Sequence, residues 1–352
     1  MKKDIRHLSQ EELAESFAAL SLEKFRAKQV HEWLWKKSAK SFDEMTNLSK
    51  SLRDQLKENF AFENTSDSIA QISTDGTVKL GIKLADQRIV EGVMIPDKDR
   101  ATACVSSQVG CTLSCSFCAT GFLKRERNLS AAEIYDQVVL LNDYAKKQNG
   151  KGLTNIVYMG MGEPLLNYDN VMQSIKHITS PEGLNISQKR ITISTSGIAR
   201  NIKHLADEGM KFNLALSLHA PTDEKRNIIM DINRSNPLDM VFEALNYFYD
   251  KTGCKITFEY ILFDNFNDSI EDAENLIALY HRVPAFINII EFNNVEGVTF
   301  KRAKSERRNA FVNHLKNRGI NVAVRRSRGK DIDAACGQLA NKQDTQALRT
   351  NV

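Results

Sequence analysis

Four of the six cysteines in this chain fall in one stretch, Cys104 to Cys118, reading CVSSQVGCTLSCSFC. Cys111, Cys115 and Cys118 have the spacing C-x3-C-x2-C, with Phe117 directly before the last. Three thiolates so close in sequence converge only if the backbone forms an irregular loop, and Gly110 is suited to start one. Soft thiolate ligands select zinc, copper(I) or iron–sulfur clusters. Structural zinc takes a closed set of four ligands, usually from two spaced pairs, and no second pair exists in the chain. Three cysteines on a four-iron cluster would leave one iron without a protein ligand, open to a small molecule. Buried thiols can also pack as small hydrophobes, but so dense a cluster favours the open iron–sulfur site.

Other groups with chemical potential are scattered. Met159-Gly-Met-Gly-Glu-Pro164 follows an apolar run. Its glycines would let the backbone approach a ligand, and Glu163 offers a carboxylate at a strand end. A tight turn with a capping glutamate fits the same residues. Cys336, between Ala335 and Gly337, suits an exposed, mobile turn whose thiolate reaches a reactive group, or a buried helix start. Cys104 lies seven residues before Cys111, outside the cluster spacing, on an expected strand. Glu91 sits among Ile89, Val90, Val93 and Met94, where a carboxylate is either partly desolvated and able to accept a proton or simply solvent-facing. Cys254, at a helix–strand junction, matches no motif and reads as structural.

These groups need a frame to bring them together. Residues 9–60 predict helices: one over 10–20 with a Ser9/Glu12 capping box, one carrying Phe25, Val30, Trp33, Leu34 and Trp35, and one over about 47–59. Both tryptophans read as core rather than as base-stacking platforms. Alternation over 67–95, with a turn at Asp75-Gly76, predicts a small antiparallel sheet. Residues 1–90 are therefore expected to form an accessory module and an RNA-contact candidate, 91–340 the core, and 341–352 a tail. From 102 onward, strands and helices alternate in six units: 102–107 and 130–147, 154–159 and 168–179, 190–195 and 198–208, 213–218 with 222–229 and 238–251, 256–262 and 269–281, 286–291 and 304–318. This is the pattern of an α/β fold, a partial (β/α)6 barrel, in which chemistry collects at the carboxyl ends of the strands.

Composition narrows the setting. Hydrophobic residues make up 42% of the 352, enough for a sizeable core, and net charge is +4. The charged start MKKDIRHLSQEEL does not read as a signal peptide, and no apolar run reaches the ~18 residues of a membrane span. Clustered cysteines, rather than a disulfide framework, point to a reducing cytoplasm. Residues 301–330 hold eleven Lys or Arg and one acid, Glu306, a local balance of +10. Such a block is either a footprint for nucleic-acid phosphate or a solvated helix face with a cationic tail.

C-x3-C-x2-C with an aromatic before the last cysteine resembles the signature of radical S-adenosylmethionine (SAM) enzymes. CVSSQVGCTLSCSFCATG, MGMGEPLLN, STSG at 194–197, SLHAP at 217–221 and DIDAACGQLA at 331–340 resemble the RlmN/Cfr family of RNA adenosine methyltransferases, over roughly residues 85–340. The resemblance implies the partial barrel as fold, with a 4Fe-4S cluster on Cys111, Cys115 and Cys118. It implies SAM bound by Gly162, Glu163, Ser194, Ser217, Leu218, His219 and Asn293, residues that otherwise suit caps and turns. It also implies that Cys336 takes a methyl group from one SAM. A radical made from a second SAM then activates that methyl for addition to adenine. Glu91 removes the ring proton, and Cys104 releases the product as a disulfide forms. An unstacked adenine is required, in 23S rRNA or beside the anticodon of tRNA. An external electron donor of flavodoxin or ferredoxin type is implied, and a monomer is expected. Pro164 and Leu166 in GEPLLN match the branch acting at carbon 2 over the Cfr-like branch acting at carbon 8. Glu291 in IIEFNN departs from an RlmN-like proline, which bears on Asn293. An iron–sulfur regulator or electron carrier that binds nucleic acid would explain the cysteines and the basic block, but not six β/α units with polar strand ends.

Overall fold

The computed structural model describes residues 2–340; the expected tail at 341–352 lies outside the described residues. Three helices come first: α1 (Gln10–Ala19), α2 (Lys24–Trp35) and α3 (Lys50–Asn59). The capping box of α1 is present, with Ser9 Oγ accepting from the Glu12 amide at 3.1 Å and the Glu12 carboxylate from the Ser9 amide at 2.7 Å. Ser49 caps α3 by accepting from the Leu52 amide.

Strands β1 (Ser66–Ile72), β2 (Val78–Lys83) and β3 (Ile89–Asp97) form the expected antiparallel meander. It is not a separate sheet. β3 continues antiparallel onto β4 (Arg100–Cys104), with Val93 opposite Cys104, so the meander extends the barrel sheet. The boundary expected between 90 and 91 falls inside β3.

A two-stranded ribbon, β5 (Gln108–Val109) with β6 (Arg127–Asn128), brackets the cysteine loop. The alternating units follow: α4 (Ala131–Asn149), β7 (Asn155–Tyr158), α5 (Tyr168–Thr179), β8 (Ile191–Thr195), α6 (Ala199–Asp207), β9 (Asn213–Ser217), α7 (Asp223–Ile229) and α8 (Leu238–Thr252). Then come β10 (Ile256–Leu262), α9 (Ile270–Tyr280), β11 (Phe286–Glu291), α10 (Ser305–Asn317) and β12 (Val322–Arg325). One ten-stranded sheet runs β1-β2-β3-β4-β7-β8-β9-β10-β11-β12, parallel from β4 onward. The six expected units are all there. β12 is an additional seventh parallel strand, too short and too rich in flanking charge to read as one.

Period-two alternation along these strands separates a core from a cavity. Ile193, Leu214, Leu216, Phe258, Tyr260 and Ile289 are fully buried in one hydrophobic core. The alternate positions, Thr192, Ser194, Ser217, Thr257, Glu259 and Asn288, line a central cavity of about 780 Å³. Trp35 ties the helical module to this frame. It is buried, stacks on His177 of α5 at 3.6 Å and meets Tyr135 of α4 edge-on at 5.0 Å. No described helix is long and apolar enough to cross a membrane.

Candidate active site

The cysteine loop leaves the end of β4 and closes over one mouth of the cavity, which Cys111, Cys115 and Cys118 all line. Gly110 has φ +74°, and a side chain there would collide with the Lys124 carbonyl that the loop runs against. The Cys118 amide donates to the Cys115 carbonyl at 3.1 Å, and the Ser116 amide to the Ile229 carbonyl at the end of α7 at 3.1 Å. Phe117 packs edge-on to the His219 ring at 4.9 Å and against Phe263 at 5.6 Å, which fixes the last cysteine. Among the described residues, the three sulfurs do not gather within the 4.8 Å that a single-ion site requires. A wider spacing suits a cluster in which each thiolate takes its own iron. Burial pushes the Cys111 thiol up to about 11, and raises Cys115 and Cys118 as well. Three thiolates here therefore call for a cationic centre between them, and the all-sulfur donor set fits the cluster.

Gly160 and Gly162 of the glycine turn both line the cavity. Gly162 has φ +94°, and a Cβ there would stand 2.5 Å from the Gln108 side chain. The turn thus also packs closely on the chain's own segment after β4. There Met161 N–H donates to Ser106 Oγ at 2.8 Å and Glu163 N–H to Gln108 Oε1 at 3.0 Å. Glu163 itself is buried at the cavity wall. Its carboxylate accepts from the Ser196 amide (2.8 Å), the Ser196 hydroxyl (2.9 Å) and the Leu165 amide (3.1 Å). Burial outweighs these bonds and raises its pKa.

Of the strand-end residues, Ser194, Ser217 and His219 line the cavity, with Ser194 Oγ and Ser217 Oγ 3.4 Å apart. His219 has φ +55°, and its Nδ1 accepts from the Ile261 amide at 3.2 Å. Burial, and then the charge of Arg226, hold its pKa down to about 3, so it is neutral and its Nε2 carries the hydrogen. The Leu218 side chain is in the core and does not line the cavity; its carbonyl accepts from Arg226. Asn293 is buried outside the lining, with Nδ2 donating to Ser327 Oγ at 3.0 Å and Oδ1 without a partner. Glu291, the departure noted above, collects Arg302, Arg308 and Lys330.

Cys104 and Cys336 both line the cavity as free thiols. Burial and then the neighbouring Cys336 push Cys104 up to about 12. Cys336 is half-buried rather than on an exposed turn. Its flanks are pinned: Gly337 O accepts from the Ala119 amide at 2.8 Å, and Leu339 O from Thr120 Oγ1 at 2.7 Å. The cysteine loop thus holds the Cys336 segment directly. Glu91 does not line the cavity. It is buried under that segment, on the same face of β3 as Val93, the partner of Cys104. Its carboxylate accepts from the Ala340 amide at 2.8 Å and pairs with Lys79 at 3.4 Å. Lys79 Nζ also donates to the Asp333 carbonyl at 3.4 Å.

Sequence reasoning missed Glu259 and Arg226 here, and read Arg325 only as one of the phosphate-facing cations of the basic block. Arg325, inside the basic block, points into the cavity, where the Cys336 sulfur exerts the largest pull on its charge. Glu259 on β10 holds Asn288 Nδ2 at 2.7 Å and lies 3.9 Å from Arg325. Arg226 is fully buried beneath the ends of β8 and β9. No local motif marks any of them. The basic block is also less free than its composition suggests. Arg307 pairs with Asp268, Arg318 with Glu274 and Arg328 with Asp97, in addition to the three cations on Glu291. Among the described residues, Lys301, Lys304, Lys316 and Arg326 keep no carboxylate partner, and Arg326 lies at the cavity.

Comparison with known proteins adds the following. The Radical SAM superfamily profile matches residues 105–277, and the ribosomal RNA large subunit methyltransferase N-terminal domain profile matches residues 3–61. A protein of Cytophaga hutchinsonii named probable dual-specificity RNA methyltransferase RlmN is 55% identical over 342 residues, 97% of this chain and 94% of that protein. One of the same name from Streptococcus gordonii is 41% identical over 360 residues, 100% of this chain and 99% of that protein. The crystal structure of a radical SAM methyltransferase from Sphaerobacter thermophilus superposes with a TM-score of 0.90 at 40% identity, covering 96% of this chain and 99% of that one.

Proposed function

The chain belongs to the RlmN family of the radical SAM superfamily. From that premise we propose that it methylates carbon 2 of an adenosine in 23S rRNA, and of the adenosine 3′ of the anticodon in tRNA, through a methyl group carried on Cys336. The observation that carries the reading is the pinning of the Cys336 segment to the cysteine loop through Ala119 and Thr120, with Cys104 in the same cavity.

Cys111, Cys115 and Cys118 would hold the 4Fe-4S cluster, whose chemistry is to pass one electron to SAM from an external flavodoxin- or ferredoxin-type donor. Glu163, with Ser194 and Ser217, forms the polar wall suited to the amino and hydroxyl groups of SAM; Gly162 sets the turn, and Leu218 contributes backbone only. His219 orients Phe117 and offers Nε2–H. Asn293 reaches the site through Ser327, a cavity residue. In the assigned division of labour, Cys336 carries the methyl group as a thioether. Arg325 lies at the same cavity, and Glu91 accepts the ring proton when the covering segment shifts. Cys104 then attacks the Cys336 sulfur, releasing RNA and forming a Cys104–Cys336 disulfide. A buried cavity of this kind admits adenine only after unstacking. Likeness to relatives named RlmN rather than Cfr supports the carbon-2 branch over carbon 8. Action as a monomer in the cytoplasm completes the proposal.

The test is a pair of variants. Cys336→Ala should retain iron and SAM binding yet form no methylated RNA. Cys104→Ala should react with RNA and stall as a covalent adduct, seen as a nuclease-sensitive band on a denaturing gel and absent from the double variant. Methylation by Cys336→Ala contradicts the proposal.

A further inference from the structure

Arg226 is 0% exposed on α7, and its guanidinium donates to four acceptors. They are the carbonyls of Leu218 (3.1 Å), Ser217 (3.1 Å) and Ser196 (2.5 Å), and Asn233 Oδ1 (2.6 Å). Every one of these is neutral. Among the described residues no carboxylate stands within 4.0 Å of the guanidinium. Asp223, in the first turn of α7, is turned to Asn233 Nδ2 and the Leu238 amide.

A fully buried cation with no anion is costly, and proteins pair such charges or set them against metal centres. The helix that carries Arg226 ends against the cysteine loop. Its last residue, Ile229, accepts the amide hydrogen of Ser116, directly after Cys115. Burial pulls the guanidinium down to about 10; the Cys115 sulfur, ahead of Asp223, pulls it back. It is still charged at neutral pH.

We propose that the counter-ion of Arg226 is the anionic iron–sulfur centre on Cys111, Cys115 and Cys118, and that this guanidinium sets how easily the centre is reduced. The inference rests on the reading of those cysteines as cluster ligands. Reduction brings one electron from an external donor and adds negative charge to a buried site. A fixed positive charge beside it stabilises the reduced form more than the oxidised one. No proton moves at Arg226. The same side chain joins the ends of β8 and β9, so it is a positioning residue whose charge must be tested apart from its bonds.

The measurement is a redox titration, followed by electron paramagnetic resonance, of the anaerobically reconstituted full chain. Arg226→Gln should move the midpoint potential to more negative values. Arg226→Lys, which loses the fork of hydrogen bonds but keeps the charge, should stay near wild type. Equal shifts in both variants, or none in Arg226→Gln, overturn the inference. If Arg226→Gln retains no iron, Asp223→Asn decides. It keeps the acceptor for Asn233 and Leu238, removes a competing negative charge, and should move the potential to less negative values; an unchanged or more negative potential overturns the inference. Wild-type protein that binds no iron overturns the cluster reading itself, whereas iron with the wrong variant pattern overturns only the role of Arg226.

Discussion

The thiols of this chain sit in different environments, and the environment predicts the result of substitution. Alanine at Cys111, Cys115 or Cys118 should abolish the brown colour of anaerobically purified protein and all SAM cleavage; full iron content in any one variant would remove that residue from the ligand set. Cys254 lies at the junction of α8 and β10, against Thr252 and away from the cavity. Cys254→Ala should leave iron content and turnover nearly unchanged. Glu163 accepts three hydrogen bonds at the cavity wall. If its charge also receives the SAM amino group, Glu163→Gln should weaken SAM binding by about 1.5–3 kcal/mol, roughly 10- to 100-fold by calorimetry. Unchanged affinity would make Glu163 a turn residue only. The gathering of the cysteine trio at one cavity was legible because their spacing keeps them in one short loop. Arg226 and Glu259 were not: no residue pattern marks an arginine that bonds backbone carbonyls, and Glu259 meets Asn288 and Arg325 from other strands. Cys336 does lie in a turn, half-buried because its flanks are held by Ala119 and Thr120, over two hundred residues away.

The elements explain how those residues are held. The start of α1 was readable from Ser9 and Glu12, and that of α3 as a cap at Asn47 or Ser49, since capping is a local bargain between side chain and backbone. Pairing of β3 with β4 was not readable, because alternation gives a strand's faces but not its neighbour. The stacked contact of Trp35 with His177 joins α2 to α5 and makes two predictions. Trp35→Ala removes a buried aromatic and should cost about 3–5 kcal/mol, seen as a lower Tm. His177 itself is held down to about 3, by burial first and then by His31, against 6.5 when exposed. Between those values the unfolded chain takes up a proton that the folded chain refuses. Stability is therefore complete above about pH 6.5 and falls as pH drops below it, by up to about 1.4 kcal/mol per pH unit. Wild type should lose more Tm between pH 7.5 and 5 than His177→Asn; equal losses would mean that the imidazole titrates freely.

Across the whole molecule, charge distribution decides how RNA meets the cavity. Composition pointed to residues 301–330, but pairing to Asp97, Glu259, Asp268, Glu274 and Glu291 neutralises much of that block in place. Which cations stay available depends on the tertiary fold, so composition could not divide them. Arg326, unpaired at the cavity, is the candidate phosphate contact. Arg326→Gln should lower the salt slope of RNA binding by about one; Arg325→Gln should leave the slope and instead slow methyl loading of Cys336. The fold itself was readable as six units because α/β alternation is a sequence-long pattern, and only the seventh strand escaped it. The central claim concerns the atom that is methylated. Incubating the reconstituted protein with SAM, a one-electron reductant and unmodified 23S rRNA, then identifying the nucleosides by mass spectrometry, tests it directly. The account predicts 2-methyladenosine, lost in Cys336→Ala. 8-Methyladenosine would contradict the carbon-2 assignment, and no methylated adenosine from iron-replete protein would contradict the proposed reaction.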